Sequence, residues 1–346
     1  MITSIEHLPD EILLNICQYL SQYDIILAFF GLNNRLNCTV SQFIQTLIIS
    51  NENYFTHREN YQLLSIIGPY LHSLTIKHTH LSSAEISLAS NIQELTFIHS
   101  QLDDLPPLRN LTDLNIIYGS TFKLIDVLFS NNNNNLHSIF LVSTSPLKIS
   151  IFSPPKFSKI KQLAISLQSF DDFVHLLHIC PELTCLSLML QSWNSINIQN
   201  LDNQSSIDTS TTLRSFSLRT TYDLNISLNE VKYILKHLTT KLEHIAIEIY
   251  TEDIACLDGE QWENYLKENL PSLTHFEFLI LLRKDYPHGS KPLQIPDIVK
   301  TFQSAYWSKI TPQKITGYYN RCYSGVSLCI HTEIIPTVRR RRYFLY

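Results

Sequence analysis

The chain has 346 residues, of which 44% are hydrophobic, and a formal net charge of −5. That is enough apolar chain for one large or two modest domains, and the acidic balance argues against a general nucleic-acid binder. Only 16% of residues are charged and only 7 are glycine, so neither G-x-G-x-x-G nor a P-loop occurs. No signal peptide is expected, because Glu6, His7 and Asp10 interrupt the start and no apolar run follows. The longest apolar tract, Phe276–Leu282, contains Glu277 and is too short to span a bilayer. The cysteines (Cys17, Cys38, Cys180, Cys185, Cys256, Cys322 and Cys329) are odd in number, irregularly spaced and free of any C-x-x-C. They suit reduced thiols in a cytoplasmic or nuclear protein.

The first element is a helix over Leu8–Leu20. Pro9 suits the first helical position, Asp10 and Glu11 favour the positive end of the helix dipole, and Ile12, Leu13, Ile16 and Leu20 recur at helical spacing. Ser21 and Asp24 have the spacing of a capping box. Ile25, Ile26, Ala28 and Phe29 then supply a second helix, with Gly31 as its C-terminal cap. Leu32–Leu36 opens a third helix, with Val40 on the face of Leu36. The pattern Leu-Pro-x-Glu-Ile-Leu-x-x-Ile-x-x-Tyr-Leu, followed by these two helices over residues 4 to 42, resembles an F-box. The Trp often found after the Arg of the third helix is replaced by Leu36. The resemblance implies docking on the small adaptor of an SCF-type ubiquitin ligase, and through it on a cullin. Leu8, Pro9, Ile12, Leu13, Ile16 and Leu20 would contribute to that surface.

From residue 71 onward one phrase, L-x-x-L-x-L with Ile or Phe allowed, recurs. Its copies begin at Leu71, Ile92, Leu111, Leu136, Ile160, Leu183, Leu213, Leu242 and Leu273, at spacings of 19 to 31 residues. Ile44–Ile49 reads as a degenerate first copy. Helical stretches are expected between copies at Asn60–Ile67, Phe122–Ser130, Phe170–Ile179, Asn229–Leu238 and Gly259–Leu270. The second unit is short at Pro106-Pro107, and Asn131–Asn135 reads as a solvated loop. Helix, turn and short strand in one repeating order predict an α/β leucine-rich-repeat solenoid, a curved parallel sheet with outer helices. The Asn or Cys that usually follows the phrase is missing, so the array is irregular.

By the two-residue period of a strand, positions one, four and six of the phrase point into the core, and three, five and seven line the opposite face. Ile98, Ile117, Phe140, Val142 and Met189 then form an apolar patch on that face, a candidate target-binding surface. A loop folding over the patch, or a register shift of one residue, would bury the same side chains. Beyond residue 285 a helix over Pro296–Lys309 and strands at Lys314–Asn320 and Val326–Ile334 are expected to cap the array. Arg339–Arg342 form a basic tail, read as solvated or as a nuclear-import patch.

No catalytic constellation is recognised. His78 with His80, and His175 with His178, lack partners at metal-ligand spacing. Asp103-Asp104, Asp171-Asp172 and Glu252-Asp253 suit turns and helix starts. Neither G-x-S-x-G nor a Cys–His signature occurs, and Cys185 has no evident activating base. The expected organisation is an F-box over 1–50, a repeat region over 51–285 and a C-terminal cap over 286–346. The expected function is substrate recognition for a ubiquitin ligase, without cofactor, metal, nucleic acid or membrane. A scaffold that uses the F-box without ubiquitination is the alternative.

Overall fold

A computed structural model describes residues 5–20, 22–29, 32–41, 44–50, 57–100, 106, 108–118, 135–142, 159–191, 212–238, 241–283, 293–311, 314–322 and 325–332. The chain divides into two compact units, Met1–Ser145 and Pro146–Tyr346.

The first unit begins with three short helices, α1 (Asp10–Cys17), α2 (Gln22–Phe29) and α3 (Asn34–Ser41). Their shared core is Leu13 and Cys17 from α1, Ile25, Ile26 and Phe29 from α2, and Leu36 and Val40 from α3. Pro9 occupies the N-cap rather than the first helical position, with ψ at 148°. Its carbonyl accepts from the amides of Ile12 and Leu13 at 3.1 Å each. Ser21 and Gly31 lie outside the described residues. Asn33 caps α3, its Oδ1 accepting from the Leu36 amide at 2.9 Å.

The phrase then becomes structure. In the first unit it gives β1 (Thr46–Ser50), α4 (His57–Ile67), β2 (Ser73–Lys77), α5 (Ser83–Ser87), β3 (Glu94–Ile98), β4 (Asp113–Ile117) and β5 (Ser138–Val142). The strands pair in parallel, in chain order and in unshifted register: Leu47, Leu74, Leu95, Leu114 and Ile139 stand side by side. The degenerate first copy is therefore a true strand of this sheet, although it falls within the stretch assigned to the F-box. The expected helix at Phe122–Ser130 and most of the Asn run lie outside the described residues, as do residues 101–105 and Pro107.

The second unit holds β6 (Gln162–Leu167), α6 (Phe170–Ile179), β7 (Cys185–Leu190), β8 (Ser215–Thr220), α7 (Leu228–Lys236), β9 (His244–Thr251), α8 (Gly259–Asn269), β10 (His275–Arg283), α9 (Ile295–Thr301), α10 (Ala305–Ile310), β11 (Ile315–Cys322) and β12 (Gly325–Thr332). Strands β6 to β10 are parallel and in register. Positions one, four and six are buried in all nine copies of the two units.

A shared backbone device fixes the step from strand to strand. Within each unit, the amides of positions two and three both donate to the position-two carbonyl of the preceding copy. Gln93 and Glu94 donate to His72 at 2.8 and 3.0 Å, and Glu243 and His244 donate to Arg214 at the same distances. Three helices of the array start on reciprocal capping boxes: Ser82 with Glu85, Ser169 with Asp172 and Ser227 with Glu230.

The C-terminal segment departs from expectation at its helix. The helix expected over Pro296–Lys309 is two helices, α9 and α10, broken where Phe302 caps one and Ser304 starts the other. Thr301 is held at that break, its hydroxyl accepting from the Gly259 amide at 2.8 Å and donating to the Ile298 carbonyl at 2.7 Å. A side chain at Gly259 would come within 2.5 Å of the Thr301 carbonyl oxygen, so only glycine allows this approach. The two strands form an antiparallel hairpin, and β12, not β11, pairs with β10.

Truncating a phrase leucine should remove packing that nothing replaces. Leu186→Ala should cost about 2–5 kcal/mol in urea denaturation. Ser166→Ala should be neutral or stabilise by about 1 kcal/mol, because the buried Ser166 Oγ has no hydrogen-bond partner.

Candidate functional site

Two surfaces correspond to the candidate site residues. The first is the helical module. Leu13 is 0% exposed and lies in the module's core, so it cannot contact a partner while the module stays folded. Ile12, one residue away, is 45% exposed. Leu8, Ile16 and Leu20 are half-buried and Pro9 is exposed. Ile5, Tyr19 and Leu32 are also exposed, Tyr19 at 88%, and sequence reasoning did not select them. The stripe thus splits: Leu13 and Cys17 close the core, while Ile12 remains on the surface.

Arg35 fastens α3 to the start of α1. Its guanidinium donates to Asp10 Oδ1 at 2.5 Å and to the Leu8 carbonyl at 3.0 Å. Both partners of the ion pair are about half exposed, so it adds little stability. Its effect is positional: it sets where Leu8, Pro9 and Asp10 lie.

The second surface is the sheet face opposite the core. In the first unit Lys77, Ile98, Ile117 and Val142 stand in register as one row across four strands. Ile98, Ile117 and Val142 are half-buried there, as period-two reading requires. Phe140 is not available in the same way. It lies in the adjacent row beside Asn115 but is only 7% exposed. Met189 belongs to the second unit, in the row Ser166, Met189, Arg219, Glu248 and Leu279. Its neighbours in that row include the ion pair Arg219–Glu248 at 3.1 Å, so its setting is mixed rather than apolar. Ala164 and Ser166 on β6 are buried on the face expected to be open.

One feature of the first unit escaped the sequence. His78, His99 and Tyr118 each follow a strand, and each has positive φ, at 50°, 48° and 56°. Their amides donate to the last carbonyl of the next strand: Ile98, Ile117 and Val142. Their rings stack, with centroids 4.9 Å apart at both steps. This ladder closes the strand ends where the usual Asn or Cys is missing. His is enriched at positive φ among non-glycine residues but Tyr is not, so the recurrence at position eight of the phrase is the signal that could have pointed to it.

The thiols of Cys17, Cys180, Cys256 and Cys329 are buried, whereas Cys38 is exposed. Burial pushes the Cys180 and Cys256 thiols up to about 12 and raises those of Cys17, Cys185 and Cys329. Among the described residues no group of three His, Cys, Asp or Glu could hold a metal ion. None of the described helices is long and apolar enough to cross a membrane. The His178 ring hydrogen-bonds the Val174 carbonyl at 2.9 Å, a local helix contact.

A thiol reagent at neutral pH should label the exposed Cys38 quickly and leave Cys180 and Cys256 protected until unfolding, read by peptide mass spectrometry. A raised thiol pKa favours the folded state fully below the unfolded value. Stability should therefore fall as pH rises from the ordinary 9.0 toward about 12.

No family model matches the chain, and no curated protein matches it. Among solved structures, an internalin (inlF) from Listeria monocytogenes is similar over 84% of this chain and 72% of its own, with 16% identity and a TM-score of 0.44. In-register parallel strands with positions one, four and six buried make each unit a leucine-rich-repeat-type arrangement.

Proposed function

We propose that the chain is the substrate-recognition subunit of an SCF-type cullin–RING ubiquitin ligase. The three-helix module binds the adaptor, and the repeat face binds a target protein. The chain itself carries out no bond chemistry. It acts by holding target and ligase on one polypeptide, which raises the effective concentration of one near the other. The setting is the cytoplasm or nucleus. The observation that carries this reading is the exposed apolar side chain of Ile12, within the Leu-Pro-x-Glu-Ile-Leu pattern and on a module whose core is already filled by Leu13, Cys17 and Leu36. Ile5, Tyr19 and Leu32 are exposed outside the same core, and several exposed apolar side chains on one small module suit a partner better than a single one would.

The variant that tests the docking surface is Ile12→Asp, because it leaves the helical core intact. It should lower adaptor capture at least about tenfold, with an unchanged thermal melt. Unimpaired capture would remove the F-box reading. Ile117→Asp with Val142→Asp should reduce target capture while adaptor binding persists. Adaptor binding without cullin would favour the scaffold reading.

A further inference from the structure

We propose that the open sheet face of β2–β4 binds an extended segment of the target protein that carries a basic, a polar and an aliphatic side chain at alternate residues. The proposal rests on the reading that the repeat face of the first unit receives a target, and it specifies that target's chemistry. Unshifted register turns each odd position of the phrase into a row that crosses the strands. Position three places Glu94 beside Asp113, position five places Thr96 beside Asn115, and position seven places Ile98 beside Ile117. Chemistry is therefore constant across a row and changes along the strands, from acidic through neutral polar to aliphatic. Glu94 is exposed and the other five are half-buried. On the β5 side the patch ends at Phe140, which lies beside Asn115 and is 7% exposed.

The acidic row is the selective element. Like charges on facing residues of neighbouring strands disfavour the folded state. Asp113 accepts a hydrogen bond from the Thr112 hydroxyl at 2.7 Å, and neither carboxylate forms an ion pair with a described residue. On either side of the pair the row continues with uncharged Ser73 and Ser138. Lys77 stands at the aliphatic end of β2, about 13 Å along the strand from row three. His72, Arg109 and His137 precede their strands and pair with neither carboxylate. Helix α5 adds no cation, and its Glu85 is held in a capping box. A lysine or arginine supplied by the partner relieves the repulsion, so charge complementarity names the first side chain.

The other two rows name the rest. Asn115 Nδ2 donates to Thr96 Oγ1 at 3.2 Å, which holds the amide and leaves its carbonyl oxygen to accept from a partner. Ile98 and Ile117 offer apolar area to an aliphatic side chain. Spacing selects the conformation. Successive odd rows lie roughly 6.6 Å apart along the strands. An extended segment turns every second side chain to one face at the same interval, so three alternate side chains meet the three rows in step. A helix presents one face per turn of about 5.4 Å and falls behind by about 2 Å over the same rows.

The test probes the tagged full chain on an array of Ser- and Gly-based peptides that carry Lys, Thr and Ile at alternate positions. Companion peptides replace Lys by Glu, or move Lys by one residue so that it turns to the other face. The in-phase Lys peptide should bind, and both companions should bind at least about tenfold more weakly. Glu94→Lys with Asp113→Lys should invert the preference, so that the Glu peptide binds better. Glu94→Gln with Asp113→Asn should erase it, with a circular dichroism melt no lower than that of the parent chain. Absence of binding to the in-phase peptide, equal binding of the Lys and Glu peptides, or a preference that survives charge reversal would each overturn the proposal. No adaptor enters the assay, so such a result leaves the ligase reading to its own test with Ile12→Asp.

Discussion

The repeated burial of three side chains per strand governs both units. Each copy of the phrase places positions one, four and six in the core, and within each unit the amides of positions two and three converge on one carbonyl of the copy before. The first term drives collapse without direction. The second sets the direction, because a carbonyl shared by two amides fixes where the next strand starts. Unshifted register follows, and with it the rows of side chains on the opposite face. Every candidate target-binding residue owes its position to this coupling.

Core positions were legible because they rest on a local period, and the degenerate copy at Ile44 obeys it as well as the others. The opposite face was less legible for a definite reason. A two-residue period says which side chains share a face, not whether that face is covered. Ile98, Ile117 and Val142 are half-buried as expected, whereas Phe140, Ala164 and Ser166 are buried on both sides of their strands. The same limit applied to α1. Helical spacing groups Ile12 and Leu13 as neighbours on one stripe, but only the packing of α2 and α3 decides that Leu13 closes the core and Ile12 does not.

Other departures arise from long-range contacts that no local pattern records. The break between α9 and α10 depends on Thr301 meeting Gly259, which is 42 residues away. The hairpin order rests on the pairing of β12 with β10, between residues 44 to 52 apart in the chain, such as Arg283 with Ser327 and Leu279 with His331. The stacked ladder of His78, His99 and Tyr118 depends on three backbones turning to positive φ together, each at an energetic cost that stacking and a shared hydrogen-bond pattern offset. These features lie at the strand ends and the C-terminal edge, where the phrase no longer dictates structure.

The functional account joins a small helical module with an exposed apolar residue to a repeat array with an accessible face. Its central claim is that the module holds a ligase. The most direct measurement is native mass spectrometry of the tagged full-length chain isolated from cells. The account predicts one complex containing the chain, the adaptor and a cullin in equal copies. Recovery of the chain with neither adaptor nor cullin would contradict it.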